Sequence, residues 1–308
     1  MLDKISFQIM LELCRNGRAS KSKIARNLGI SMMTVAKRIN AMIDNDVIAI
    51  KAIPNPVKMG YKASAFIGLK VDLKLIDDIC AQLADNVHIS LVVTCFGRFD
   101  VLLLVYFREW QLLQDFVRQD ITLIKGINHI ETYLISKAKK QCQEIVPADV
   151  VDGNHVELDE LDQQIIKELV RNGNPNYTDL AEKLSTSVST ISRRITGLLK
   201  SNIIEILAIP NPSKIGYSAS AFTLLRVNLS KADKICDQLS AYPEVNTVLR
   251  LMNDYDILFG INAADPEALF NFSKSKIANI DGILSSETFI RGSFLYFSAD
   301  AMFMPSMK

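Results

Sequence analysis

Residues Ala52–Phe66 read AIPNPVKMGYKASAF, and residues Ala208–Phe222 read AIPNPSKIGYSASAF. Pro, Asn, Lys, Gly, Tyr and Phe recur in one fixed order at an offset of 156 residues, which a low-complexity bias does not produce. The same offset lays LCRNGR at Leu13–Arg18 on LVRNGN at Leu169–Asn174, and TVAKRI on TISRRI. It also lays IETYL at Ile130–Leu134 on SETFI at Ser286–Ile290. By eye about a third of aligned positions are identical, and no gap is needed. The 308 residues are therefore two homologous halves, near 1–140 and 157–296, and one half's fold constrains the other's. Between them KAKKQCQEIVPADVVDGNHVELDE is polar, holds Pro147 and Gly153, and has no sustained period. It predicts a linker over 138–156.

Each half changes period part-way. From Asp3 to Ile50 the period is helical: Ile5, Ile9 and Leu13 share a face, and Asn16-Gly17 ends that helix. SKSKIARNLG predicts a short second helix closed by Gly29. SMMTVAKRINAMIDN predicts a third, with Ser31 as N-cap and Val35, Ile39, Met42 and Ile43 as its apolar stripe. DVIAIKAI then turns extended. Three helices and a small strand pair make a winged helix-turn-helix, expected over 1–52 and again over 157–208.

After IPNP the period becomes two. YKASAFIGLKVDL predicts a strand, KLIDDICAQLADN a helix, HISLVVTCF and FDVLLLVYF a hairpin about Gly97-Arg98, EWQLLQDFVRQDI a helix and GINHIETYLIS a last strand. The order βαββαβ is the ferredoxin-like arrangement, expected over 60–137 and 216–300. The second half repeats it, with strands Tyr217–Leu229, Val245–Met252, Tyr255–Asn262 and Gly282–Ile290 and helices Lys231–Ala241 and Pro266–Ile277. The fold class is thus α+β: two tandem repeats, each a winged helix-turn-helix followed by a ferredoxin-like βαββαβ sandwich domain.

The joint order of S-x-x-T-[VI]-x-[KR]-R-I, NP-x-K-x-GY and G-x-F-D at the hairpin (NDYD in the second half, where the glycine is lost), over nearly all of each half, resembles the Lrp/AsnC (feast/famine) family of transcription regulators. The departure is the duplication, since the family's usual chain corresponds to one half. The resemblance implies that the third helix reads double-stranded DNA. Its candidates are Ser31, Met33, Thr34, Lys37 and Arg38, and in the second half Ser187, Ser189, Thr190, Arg193 and Arg194. The residue types suit that task. Short hydroxyl side chains on the first turns of a helix reach base edges, and Lys or Arg reaches guanine or phosphate. The resemblance also implies sandwiches paired sheet to sheet, a small effector such as an amino acid near the hairpin turn, and assembly into homo-oligomers. The effector candidates are Gly97, Phe99 and Asp100, with Asn253, Tyr255 and Asp256 at the matching positions. The same residues are equally those that plain hairpin turns require.

Charge must be argued locally, because the whole chain carries only +1. Residues 1–52 hold nine basic against four acidic side chains, whereas 157–208 hold six against eight. Phosphate neutralisation supplies most non-specific DNA affinity, so the first winged domain is expected to be the stronger binder. Apolar residues make up 49% of the chain, which excludes global disorder. No run of 18 apolar residues and no leader-like start are present, so no membrane span and a cytoplasmic location are expected.

No catalytic constellation stands out. His88, His129 and His155 are scattered, and none lies at metal-ligand spacing with Cys or carboxylate. There is no P-loop, no GxGxxG after a strand and no nucleophile elbow. Cys14, Cys80, Cys95, Cys142 and Cys236 form no CxxC pair, and Cys80 and Cys236 fall at matched, core-like helix positions. Trp110 reads as a core or interface anchor. No cofactor and no metal are expected. The enzyme alternative is a resemblance to the sirohaem decarboxylases of the same fold, whose pattern implies Arg and His around the segment entering the sandwich. IPNPVKMGY and IPNPSKIGY hold no His and a single Lys each, so the positioned proton donor is missing.

Overall fold

The computed structural model describes residues 2–86, 88–140 and 156–297. In the first half the elements are α1 (Lys4–Arg15), α2 (Lys21–Leu28), α3 (Met32–Asp44), β1 (Ile48–Pro54), β2 (Ala63–Val71), α4 (Ile76–Ala84), β3 (Ile89–Phe96), β4 (Val101–Phe107), α5 (Trp110–Phe116) and β5 (Ile127–Lys140). The second half repeats them as α6 (Glu160–Arg171), α7 (Tyr177–Lys183), α8 (Val188–Lys200), β6 (Ile204–Pro210), β7 (Ala219–Val227), α9 (Ala232–Ala241), β8 (Val245–Leu251), β9 (Ile257–Ala263), α10 (Pro266–Ser275) and β10 (Ile283–Phe297). Strand β5 runs through 138–140, which the sequence assigned to the linker; the rest of that segment to 155 lies outside the described residues, as does 298–308.

These elements form two compact units that sort by kind rather than by half. One unit is Met1–Asn55 with Val156–Tyr217, and the other is Pro56–His155 with Ser218–Lys308. In the first unit each trihelical segment is set by local chemistry. Asp3 caps α1 by accepting the Ser6 N–H at 2.8 Å, and Ser31 caps α3 by accepting the Thr34 N–H at 3.0 Å. Gly29 closes α2 in the left-handed region, at φ 65°. Ile9, Leu13, Ile24, Val35, Ile39 and Met42 make the core, and Ala208 of the second half joins it. Ile43, placed on the apolar stripe by its period, is 40% exposed.

The wing departs from the expectation of a strand pair within each half. Each half supplies one strand, and β1 pairs antiparallel with β6 from Ile48↔Pro210 to Pro54↔Ile204. The pairing is locked by the helix ends: the Gly17 N–H donates to Ile206 O at 2.7 Å, and the Gly173 N–H donates to Ile50 O at 3.0 Å. Both glycines are required by close approach. A Cβ on Gly17 would stand 2.9 Å from Ile206 O, and one on Gly173 would stand 2.8 Å from Lys51 Cα.

In the second unit eight strands close into a barrel of order β10-β3-β4-β2-β5-β8-β9-β7. Each half gives four adjacent antiparallel strands, and two seams join the halves: β5 to β8 (Ile135↔Leu251) and β10 to β3 (Ile290↔Phe96). Closure leaves this sheet no unpaired edge strand among the described residues. It also explains why VLLLVYF shows no alternation. Val101, Leu103, Val105 and Phe107 lie in the core that includes α4 and α5 residues, and the intervening Leu102, Leu104 and Tyr106 are buried as well. Phe66 and Phe222, equivalent by the 156-residue shift, meet at 6.2 Å between ring centroids. Cys80 and Cys236 are buried on α4 and α9.

Candidate nucleic-acid interface and effector cleft

Helix α3 buries Val35, Ile39 and Met42, so the helical period turns Met33 and Lys37 to the other side. Met33 is 80% exposed and Lys37 is exposed; with Thr34, Arg38 and Ala41 they line a hollow of about 460 Å³. Helix α8 buries Ile191, Ile195 and Leu198 and likewise exposes Ser189 and Arg193. The hydroxyls at the helix starts are already engaged. Ser31 Oγ lies 2.8 Å from Thr34 Oγ1, and Ser187 Oγ lies 2.9 Å from Thr190 Oγ1, each serine also capping its helix.

The two arginines of these helices, Arg38 and Arg194, are engaged within their own domains. Arg38 Nη1 donates to Asp3 Oδ1 at 2.8 Å, Asp3 Oδ2 at 2.6 Å and Ser6 Oγ at 2.7 Å. Arg194 does the same in the second half, to Asp162 at 3.0 Å and Asp159 at 2.7 Å. Each arginine therefore braces a reading helix against the N-terminus of the first helix. The Arg38 hydrogen bond, with the Ser6 N–H, holds the Asp3 carboxyl down to about 2. The Asp162 N–H and Arg194 pull Asp159 below its ordinary value, while burial raises Asp162.

The surroundings of the two readers differ in charge. Lys21, Lys23 and Arg26 on α2 are replaced by Tyr177, Asp179 and Glu182 on α7. Arg18 hydrogen-bonds the Tyr177 hydroxyl and lies over its ring, 5.4 Å from the centroid.

In the second unit the hairpin residues serve mainly as anchors. Phe99 is 1% exposed and covers Gly68, where a Cβ would be 2.5 Å from its ring. Asp100 Oδ2 accepts the Val71 N–H at 3.0 Å and Oδ1 accepts from Lys70 Nζ at 2.8 Å; Asp256 Oδ2 accepts the Val227 N–H at 2.7 Å. Gly97 needs its glycine, at φ 128°. Tyr255 is buried and donates to Glu287 Oε2 at 2.6 Å. Of the six effector candidates, only Asn253 lines the cleft described next, and its Oδ1 accepts the Leu134 N–H at 3.2 Å.

That cleft, of about 480 Å³, lies between α5, β5 and the β8–β9 turn. Leu113, Val117 and Leu134 give it an apolar wall, Thr132 a hydroxyl and Asn253 an amide. Trp110, Gln114 and Arg118, one per turn along α5 and its continuation, complete it. Trp110 is 39% exposed here rather than sealed in a core. The size and the apolar wall with a few polar groups are those of a small-molecule site. Sequence reasoning did not single out Trp110 and Arg118 as lining a cleft. Their spacing on one helix face was visible, but the strand and turn opposite were not.

Comparisons with known proteins match this division. A winged helix-turn-helix DNA-binding model matches residues 2–49, and an AsnC-type helix-turn-helix domain matches 158–199. The Lrp/AsnC ligand binding domain matches twice, over 64–145 and 220–293, half of the chain. The chain belongs to the Lrp/AsnC family. It is an Lrp/AsnC-type transcriptional regulator. An uncharacterised HTH-type transcriptional regulator of Pyrococcus horikoshii is 32% identical over 136 residues, 44% of this chain and 86% of that protein. The HTH-type transcriptional regulator FL11 of the same organism is 35% identical over 136 residues, 44% of this chain and 89% of its own length. This Lrp/AsnC chain thus spans about two such relatives. Among solved structures, the sirohaem decarboxylase NirDL covers 96% of this chain and 93% of its own at a TM-score of 0.65. Its sequence identity is 13%, so the likeness is one of fold alone. Of the histidines in this regulator, His88 stacks on Phe107 at 5.0 Å, with burial lowering its pKa, and His129 hydrogen-bonds Glu131 at 3.1 Å.

Proposed function

We propose that this regulator binds duplex DNA as one chain with two unlike reading helices, α3 dominant, and that a small effector such as an amino acid in the Trp110 cleft modulates it. The observation that carries the DNA reading is Met33 at 80% exposure beside exposed Lys37, on a helix whose other face is core. Met33 and Thr34 meet base edges, Met33 suiting a thymine methyl. Lys37 meets phosphate or guanine. Arg38 and Arg194 hold the helices in aim, and Ser31 and Ser187 add to phosphate contact while capping. In α8, Ser189, Thr190 and Arg193 read the second half-site, with less help from a flank that carries Asp179 and Glu182. The two readers differ in sequence, so the preferred operator is an asymmetric pair of half-sites. Exposed Phe96, Leu123 and Leu284 support further assembly into homo-oligomers.

The test is fluorescence anisotropy of labelled operator, found by genomic footprinting, across a range of salt. Affinity is expected to fall steeply with salt and to fall further with Lys37→Ala. Salt-independent binding, or no binding to any footprinted fragment, would refute the reading. The fold shared with the decarboxylase supports a second reading as an enzyme on sirohaem, and a sirohaem titration followed by absorbance tells the two apart.

A further inference from the structure

We infer that one chain holds one effector, in the cleft under Trp110, and that the pseudo-equivalent position of the second half has lost the site. This rests on the effector reading above and adds its stoichiometry, its asymmetry and its ligand class.

The cleft offers three things to one small molecule. Leu113, Val117 and Leu134 take an apolar group. Arg118, which has no ion-pair partner among the described residues, takes an anion in its planar fork. Gln114 and Asn253 add hydrogen bonds. The class of ligand is therefore a compact amphipathic carboxylate. Asn253 comes from the second half and is held by the Leu134 N–H, so the site exists only because the halves pair.

The 156-residue shift carries Trp110 to Pro266, Gln114 to Phe270, Arg118 to Lys274 and Asn253 to Gly97. Each change removes a function. Proline has no indole, phenylalanine has no amide, and glycine has no side chain. Lysine is a point charge without the bidentate fork. Thr132 becomes Thr288, whose hydroxyl lies 2.8 Å from Thr223 Oγ1; the first half has Ile67 at that place and leaves Thr132 without such a partner. What remains is apolar surface: Phe270 is 67% exposed and Phe96, beside Gly97, is 80% exposed. Duplication made two sites, and substitution kept one.

Trp110 is the chain's single tryptophan, so its emission reports the cleft directly. The experiment titrates the full chain with L-leucine, L-methionine and L-phenylalanine in turn, by calorimetry and by Trp110 fluorescence. One molecule per chain is expected, with an emission change that follows the heat. Arg118→Ala is expected to weaken binding about tenfold or more. Gln114→Phe, which installs the second half's residue at an exposed position, is expected to abolish binding with the melting temperature unchanged. Lys274→Ala and Phe270→Gln are expected to leave binding as it was. Two molecules per chain, or equal weakening by Lys274→Ala and Arg118→Ala, would overturn the inference while leaving the effector reading standing. Neither heat nor emission change with all three probes would remove the effector reading, and this inference with it.

Discussion

Arg98 of the first half meets Glu287 of the second at 2.6 Å, while its other amino group holds Glu131 at 2.7 Å. The residue 156 positions on is Asp254, so the second half has no arginine to return. The two sandwiches are complementary rather than interchangeable. Burial works against the Arg98 charge, but the hydrogen bond from Arg98 to Glu131 and the neighbouring anionic groups hold its pKa above the ordinary value. Burial also works against Glu131, yet hydrogen bonds from Tyr133 and Arg98 keep its pKa low.

Arg98→Ala should therefore cost about 1–3 kcal/mol at neutral pH, since it leaves two partly buried carboxylates facing without their cation. In the native chain Glu131 has a depressed pKa, so its contribution is present above the unfolded value of 4.5 and is lost as pH falls below it. The deficit of the variant should shrink as pH falls below 4.5 and through the lowered folded value of Glu131. Urea melts from pH 7 down to pH 3 check this, and a deficit that grows in acid would contradict it.

Lys37→Ala should reduce the slope of log affinity against log salt by about 1 without changing the melting temperature. Arg193→Ala should cost less affinity, because its domain carries eight acidic side chains against six basic ones. Arg38→Ala should instead lower the melting temperature, since it releases the brace to Asp3 and Ser6. If Lys37→Ala and Arg38→Ala spared operator binding and the Arg193 and Arg194 variants abolished it, the ranking of the two readers would be reversed.

Asp3 gives a pH signature of its own. Its folded pKa of about 2 lies below the ordinary 3.8, so the stability it lends is full above the latter and lost as pH falls through the former. Asp3→Asn should flatten the acid limb of the stability curve between those values. The measurement is the melting temperature of both proteins from pH 5 to pH 2, and parallel curves would sink the assignment.

Gly173→Ala should destabilise the protein by about 1–3 kcal/mol, because the new methyl drives into the wing strand of the other half. Gly197, on α8 with open space around its missing Cβ, is the control: Gly197→Ala should be neutral or stabilising. Chemical denaturation of the two variants compares them directly.

Much of this was legible in the residues because it is local. The N-caps Asp3 and Ser31, the left-handed Gly29 and the change of period after IPNP specify elements within a few positions of themselves. The 156-residue shift then doubled every such inference. Arg38 was legible as a basic residue on the reading helix, but not as a brace, because Asp3 lies 35 positions away. The Trp110 cleft was not legible for the same reason: Trp110, Thr132 and Asn253 meet only when a strand and a turn from different halves are brought together.

By itself, then, the sequence determined that there are two copies, what each copy's elements are, and where the charges differ between them. Only the tertiary structure decided that β1 takes β6 as its partner, that β5 takes β8, and that β10 closes on β3. Strand pairing is satisfied by any suitable edge, and nothing in a period of two names the partner. For β5 with β8 and β10 with β3 the choice was made by the joint burial of both sheet faces and every edge, a property of the closed barrel that no single segment carries, and for β1 with β6 by the close approach of Gly17 and Gly173 of each half to the other's strand.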